Sequence, residues 1–427
     1  MNGKPPVPYR AVAALVPPLA RLLGGIAPPI SLAVRGRDAS RVRIAAWAST
    51  GRTGQPLLLV HAPSAGEWRQ AEAVVRSLRA IRPSWQYAFT YTSPSAEAVA
   101  AELHPDVHGF LPWDTPGETG QLLDVLRPTI LAIVKLDLWP ELAFQAHARG
   151  IPIALIAATV RPNSSRLRWP AHSILRRAYG LVDRALAVSP EDAARLASLG
   201  VPPDRISEGG DPRYDAVAAR IAGMRSEVSA ERMVAGSTWP PDDEVLLAAF
   251  AKVRRTRAEA RLLLAPHRPD PARIARIATM AGRHGLPAPR PWSEASSAEV
   301  LTVLEQVGPL GLLYGKGVLA YVGGGFGRAG LHSVLEPAAW GLPVLVGPRW
   351  TESRDAVALR EAGALVPLDG RDPVEQLARC WLGWLDDIDR RREAGTAALG
   401  VVRAGAGAAA RAADLLLRLV ETKRGRE

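Results

Sequence analysis

A chain of 427 residues is too long for one ordinary core, so two domains are expected, and 48% hydrophobic against 22% charged residues excludes a disordered chain. The single cysteine, Cys380, excludes a disulfide framework and a cysteine-built zinc site within one chain. A formal charge of +11, carried almost entirely by arginine, suits an anionic partner: nucleic acid, a phosphorylated substrate or an anionic lipid surface.

The chain opens on a basic, apolar segment. Before Glu67 the only acid is Asp38, against Lys4, Arg10, Arg21, Arg35, Arg37, Arg41, Arg43 and Arg52. Residues 11–34 are mostly apolar, interrupted by Arg21 and by the pairs Pro17-Pro18 and Pro28-Pro29. A spanning helix needs about 20 uninterrupted apolar residues, and the prolines are expected to break this one. Residues 1–45 therefore read as a monotopic segment on the cytoplasmic leaflet of an anionic membrane, held by apolar burial and headgroup charge. A soluble helix packed on the first domain is the alternative. No small-residue cleavage site follows the apolar stretch, which argues against a signal peptide.

From residue 57 onward short apolar runs alternate with helical patterns. Strands are expected at 57–60, 87–92, 130–134, 153–156 and 185–188, with helices at 68–80, 96–103, 119–126, 141–148 and 190–199. The second half repeats the pattern, with strands at 233–235, 262–264, 318–322 and 344–346 and helices at 242–255, 271–284, 332–340 and 352–362. A helical stretch from 373 to about 420 and a basic tail, Lys423-Arg424-Gly425-Arg426, complete it. Such alternation predicts parallel sheets covered by helices, in two Rossmann-like domains at 46–218 and 219–427, with a boundary within 215–229. Ligands of such sheets bind at the carboxyl ends of the strands.

Two of those ends carry candidate chemistry. The first strand runs into His61-Ala62-Pro63-Ser64-Ala65-Gly66-Glu67, which places Glu67 at a helix start. A lone glutamate there also serves the helix dipole. In the second half, Tyr321-Val322-Gly323-Gly324-Gly325-Phe326-Gly327 leaves a strand as a glycine-rich loop, and residues 331–338 open a helix. Glycines such as Gly324 let backbone N–H groups approach a phosphate, and a helix N-terminus favours its charge. Glu336 could accept hydrogen bonds from ribose hydroxyls. With the turn Gly341-Leu342-Pro343-Val344 this describes a donor-nucleotide half-domain. His104 and His108 have a ligand-like spacing, but Pro105 lies between them and no carboxylate completes a site, so no metal is expected.

The motifs, taken in order, resemble those of the 3-deoxy-D-manno-oct-2-ulosonic acid (Kdo) transferase family. The segment ending at Glu67 resembles the family's H-A-x-S-x-G-E, and Thr92-Ser93-Pro94-Ser95 its serine/threonine turn. Leu111-Pro112-Trp113-Asp114-Thr115-Pro116-Gly117 is similar to L-P-x-D-x-P, and Leu138-Trp139-Pro140 falls within a segment similar to E-x-E-L-W-P-N. Gly210-Asp211-Pro212-Arg213-Tyr214-Asp215 resembles G-N-L-K-F-D. Gly236-Ser237-Thr238, Pro266-His267-Arg268-Pro269 and the glycine block follow in family order, so the resemblance covers residues 57 to about 368.

This resemblance implies the GT-B α/β fold, two Rossmann-like domains facing each other across a cleft, the first binding the acceptor and the second a CMP-sugar. It implies an inverting, metal-independent transfer of Kdo from CMP-Kdo to a lipid A precursor in lipopolysaccharide synthesis, with no cofactor besides the donor. The family's proton acceptor matches Glu67, and two transition-state positions match Lys135 and Arg213. Its CMP contacts fall on Pro266, His267, Val307, Gly308, Pro309, Ser333, Val334, Leu335 and Glu336. The departures are specific. Lys135 stands where the first carboxylate of E-x-E is usual and Asp137 at the second; Ser333-Val334 replaces Asn-Pro; His267-Arg268 inverts Arg-His; Val307-Gly308-Pro309 lacks a glutamate; Trp239 replaces histidine. They leave open a different CMP- or UDP-sugar, or an inactive homologue. Lys135 reads either as catalytic or as a lysine bridged to Asp137 or Asp114. Trp139, Trp239 and Trp350 read as wall or packing residues, Trp239 with the option of stacking on sugar or base. Nucleic acid is not expected, because no basic stripe with interleaved aromatics lies outside the N-terminus.

Overall fold

Runs such as 57–60 and 130–134 carry no polar residue, which suits strands covered by helices on both faces, and the fold repeats this solution twice. The computed structural model describes residues 4–226, 231–296 and 298–424. In chain order its elements are α1 (Val7–Gly24), α2 (Pro28–Thr50), β1 (Leu57–His61), α3 (Ala65–Ile81), β2 (Gln86–Tyr91), α4 (Ala96–Glu102), β3 (Val107–Phe110), α5 (Pro116–Leu126), β4 (Ile130–Val134), α6 (Pro140–Ala148), β5 (Ile153–Ala158), α7 (Ala171–Tyr179), β6 (Arg184–Ala187), α8 (Pro190–Leu199), β7 (Ile206–Glu208) and α9 (Pro212–Ile221). There follow β8 (Arg232–Thr238), α10 (Pro240–Thr256), β9 (Arg261–Pro266), α11 (Pro271–Arg283), β10 (Arg290–Pro291), β11 (Leu301–Val303), α12 (Leu310–Leu313), β12 (Leu319–Val322), α13 (Leu335–Ala339), β13 (Val344–Val346), α14 (Arg354–Glu361), β14 (Leu365–Pro367), α15 (Pro373–Asp386), α16 (Ile388–Gly405) and α17 (Ala408–Arg424).

These elements form two compact units. The first runs to Ala216 and takes up the chain again from Ala406; the second is Val217–Gly405. Among the described residues each unit holds one parallel sheet of seven strands, in the orders β3-β2-β1-β4-β5-β6-β7 and β10-β11-β9-β8-β12-β13-β14. The strand order reverses between β1 and β4 in the first sheet and between β8 and β12 in the second. Outside the carboxyl ends of such a pair lies the crevice in which open α/β sheets bind ligands.

Two expectations are corrected here. The final helix belongs to the first unit, not the second. Ala412, Ala413, Leu416 and Val420 of α17 are buried in the core that also holds Trp68, Val74 and Leu78 of α3. Asp215, the last residue of the G-D-P-R-Y-D motif, accepts from Gly407 N (2.7 Å) and Ala409 N (3.0 Å) and so fixes the start of that helix. Gly425 and Arg426 of the basic tail lie outside the described residues.

Residues 1–45 are likewise part of the first unit and not a segment apart. Ser40 Oγ accepts from Phe110 N at 2.8 Å, and the Phe110 ring fills the space beside Gly36, which seats α2 over β3. Tyr9 Oη donates to Asp114, and Arg10 forms a two-pronged pair with the buried Glu141 at 2.7 and 2.8 Å. Pro17 and Pro18 sit inside α1 instead of ending it. The break falls after Gly24, and Pro28 opens α2 at its first turn, where a missing N–H costs nothing. Beyond the Arg10 anchor, Val12, Leu15, Leu19 and Leu22 are all exposed, as is Ile26 in the turn that follows α1. The three- and four-residue spacing of the four within α1 makes one apolar stripe along the helix. No helix among the described residues is long and apolar enough to cross a membrane.

Candidate active site

At the reversal of the first sheet, β1 ends in His61 and β4 runs into Lys135. Ser64 is extended and Glu67 lies in the first turn of α3. Lys135 Nζ donates to Glu67 Oε1 at 2.7 Å, and Ser64 Oγ donates to the other oxygen. Burial alone would raise the Glu67 carboxyl, but the Lys135 charge and the hydrogen bonds from Lys135 and Ser64 outweigh it. The pKa lies below the usual glutamate range, so the carboxylate is ionised at neutral pH. Lys135 itself takes φ +58°, the left-handed region that the Cβ of any L residue disfavours. Such a residue holds about 1–3 kcal/mol of strain and persists only where its surroundings enforce it.

Behind this pair stands a second one. His61, wholly buried, meets Thr90 Oγ1 at 3.0 Å and Asp137 Oδ2 at 2.9 Å. Asp137 also accepts from Trp139 Nε1 at 3.2 Å and faces Arg166 at 3.6 Å. Burial pushes the Asp137 carboxyl up; the His61, Trp139 and Arg166 contacts push it down and prevail. Lys135 is therefore bridged to Glu67, and neither Asp137 nor Asp114 is its partner. Asp114 instead accepts from Glu141 N and Leu142 N at 2.8 and 2.9 Å, which caps α6. Arg213 stands in the first turn of α9, where its guanidinium grips Asp211 at 2.6 Å.

The reversal of the second sheet gathers the nucleotide candidates. Here the glycine loop departs from expectation. Gly324 N–H donates to Asp242 Oδ2 at 3.0 Å and so is not offered to a phosphate. A Cβ at Gly323 would meet Ser237 O, one at Gly324 would meet Gly330 O, and one at Gly325 would meet Gly347. These glycines let loops pack against one another. Asp242 also accepts from Trp239 N (2.8 Å) and Tyr321 Oη (2.7 Å), which ties β8, α10 and the loop together.

Around that frame, Pro266 closes β9 in a buried position and His267 follows it at the surface. Val307 is exposed, Gly308 turns at φ +125° and Pro309 leads into α12. Ser333 is exposed, whereas Val334 and Leu335 are wholly buried. Glu336 is engaged by Arg220 Nη1 at 3.2 Å, a partner 116 residues away that no motif announces. The backbone also rises to φ +54° at Ser237, two residues before Trp239. Among the described residues no group of three or more His, Cys, Asp or Glu side chains is arranged to hold a metal ion.

Comparison with known proteins fits this geometry. The family model for "3-Deoxy-D-manno-octulosonic-acid transferase (kdotransferase)" matches residues 39–216. The 3-deoxy-D-manno-octulosonic acid transferase of Bordetella pertussis is 29% identical over 84% of this chain and 86% of its own length. That of Haemophilus influenzae is 26% identical over the same shares, and that of Aquifex aeolicus 26% over 68% and 76%. Among solved structures, the UDP-GlcNAc 2-epimerase from Neisseria meningitidis aligns with 86% of this chain and 100% of its own at a TM-score of 0.60 and 13% identity. The glycosyltransferase of kitacinnamycin aligns over 86% and 100% at 0.54 and 18%. These likenesses establish the two-unit Rossmann-like GT-B fold. The relatives and the family model, together with the ordered motifs and the carboxylate at the first reversal, support a member of the 3-deoxy-D-manno-octulosonic acid transferase family and indicate a glycosyltransferase.

Proposed function

We propose that this protein transfers Kdo from CMP-Kdo to a lipid A precursor, with inversion and without a metal, at the cytoplasmic face of the inner membrane. The observation that carries this reading is Glu67, an ionised carboxylate at the reversal of the first sheet, aimed by Ser64 and Lys135. Attack by an alcohol on an anomeric carbon needs a base within hydrogen-bond reach. Glu67 takes the proton of the acceptor hydroxyl, the oxygen bonds to the anomeric carbon, and the carbon–oxygen bond to CMP breaks with its electron pair on the phosphate. Lys135 and Arg213 supply positive charge to that phosphate and to the sugar carboxylate.

On the second unit, CMP is met by Pro266, His267, the turn Val307-Gly308-Pro309, Ser333, Val334, Leu335 and Glu336, the last paired with Arg220. The exposed stripe of α1 and the basic residues of the N-terminal segment attach the protein peripherally to anionic lipid. The test is to incubate the purified protein with CMP-Kdo and a tetraacyl lipid A precursor and weigh the products. A mass increase of one or more Kdo units is expected. Glu67→Gln keeps size and removes the base, and turnover should fall about 10²–10⁴-fold with CMP binding intact. Near wild-type turnover in that variant would overturn the assignment of Glu67.

A further inference from the structure

Three aromatic rings at the reversal of the second sheet are left unused by that scheme as a unit. Trp239 follows β8, His267 follows β9, and His332 lies in the loop after β12, three neighbouring strands in the order β9-β8-β12. The planes of Trp239 and His332 differ by 11° with centroids 6.4 Å apart, and Trp239 Nε1 reaches His332 Nε2 at 3.0 Å. Those numbers describe rings lying edge to edge. His267 covers the seam, 4.9 Å from the Trp239 ring and 4.4 Å from that of His332.

The hydrogen bond determines a proton. An indole N–H only donates, so Nε2 of His332 must carry a lone pair, and in the neutral ring the proton sits on Nδ1. Protonating Nε2 would set two N–H groups against each other. Burial, and after it the neighbouring His267, push the His332 pKa down to about 4. The ring is thus neutral and of one tautomer throughout the physiological range. A Cβ at Gly324 would touch its Cδ2 edge at 3.3 Å, while Nδ1 lies on the opposite edge and has no hydrogen-bond partner among the described residues.

His267 is stacked on this ring, and the carboxylates of the adjoining helix α10 face partners of their own. His267, lowered by burial and by Arg268, faces it from the end of β9. From α10, Asp242 is saturated by Trp239 N, Gly324 N and Tyr321 Oη, and Asp243 faces Arg273. Arg328 is exposed on the loop itself. Such surroundings suit an incoming oxyanion.

We propose that Trp239 locks His332 as the neutral Nδ1–H tautomer, under the cover of His267, and that this N–H donates to an anionic oxygen of the nucleotide-sugar. The proposal rests on reading the second unit as the nucleotide-binding half. The oxygen belongs to the phosphate or to the sugar carboxylate. A neutral donor orients it without the stronger, charge-assisted grip that would retain the leaving nucleotide.

Nitrogen-15 NMR of the histidine rings in the full-length protein reads the tautomer directly, with His332 assigned by its loss in His332→Phe. His332 should carry its proton on Nδ1 and remain untitrated from pH 5.5 to 8. Trp239→Phe keeps a ring but removes the indole donor, and the His332 pKa should rise by at least one unit, with mixed tautomers. A proton on Nε2 in the wild type, or no change in Trp239→Phe, would overturn the lock. Calorimetry with cytidine, CMP and CMP-Kdo locates the oxygen. His332→Phe should bind CMP about tenfold more weakly with cytidine unaffected if the partner is phosphate, or lose affinity only for CMP-Kdo if it is the sugar carboxylate. Unchanged binding of all three would overturn the donor role while the nucleotide reading stands. Failure of the wild-type protein to bind CMP would overturn that reading and this proposal with it.

Discussion

At the scale of single residues, Lys135 decides how Glu67 behaves. The ion pair holds the carboxyl down, so removing the ammonium leaves burial opposed only by the Ser64 and backbone hydrogen bonds and raises it. In Lys135→Ala the acid limb of the rate–pH profile should move to higher pH, with kcat falling more than KM rises; an unmoved limb would show that Lys135 does not tune the base. The same shift has a sign for stability. A carboxyl lowered in the folded state contributes stability above its unfolded pKa of about 4.3, and that share is lost as pH falls through the folded value. Thermal melts should show a steeper acid loss in the wild type than in Lys135→Ala. Glu67 could be located from the sequence because a strand, a small-residue turn and a helix start are all local. Its partner was not legible, since Lys135 lies 68 residues on and meets it only because β1 and β4 are neighbours. Arg220 on Glu336 was hidden for the same reason, and so was the His61–Asp137 pair.

At the scale of elements, fully apolar central strands such as 57–60 and 130–134 were legible, while β7, β10 and β14, of three, two and three residues, left too short a pattern. Pro17-Pro18 was read as a helix break, yet α1 runs through it, because a surface helix can leave two carbonyls to solvent. The glycine loop was legible as a loop, but the packing role of Gly323, Gly324 and Gly325 was not, since spacing does not separate phosphate approach from close packing. Its anchor is Asp242. Asp242→Asn should cost about 1–3 kcal/mol by leaving buried donors poorly matched, and should weaken CMP binding through the loop and not through direct contact. Gly324→Ala should do both more severely, since its Cβ would collide with Gly330 O. Denaturant melts beside calorimetry check both variants. Stability and CMP affinity unchanged in Asp242→Asn would show that the loop holds itself.

At the scale of the whole molecule, α1 is both anchored and exposed. Each leucine of its stripe buried in lipid contributes about 1.5–3 kcal/mol, and each nearby basic residue about 1 kcal/mol that salt screens. Sedimentation with anionic vesicles should therefore fall, without vanishing, as salt rises, and should collapse in the triple variant Leu15→Glu, Leu19→Glu, Leu22→Glu. Equal partitioning of wild type and variant would end the membrane proposal. Deleting the first 34 residues is a poor substitute, because it strips Arg10 from the buried Glu141, and breaking such a pair costs about 3–5 kcal/mol. The return of α17 to the first unit has a further consequence, for the order in which a ribosome makes the protein. The core around Trp68 stays open on one side through translation of everything from Val217 to Gly405, and closes only when Leu416 and Val420 emerge. A released chain that ends at residue 405 holds the whole second unit but lacks α17, so it should resist protease across residues 232–385 while residues 57–210 are still cut.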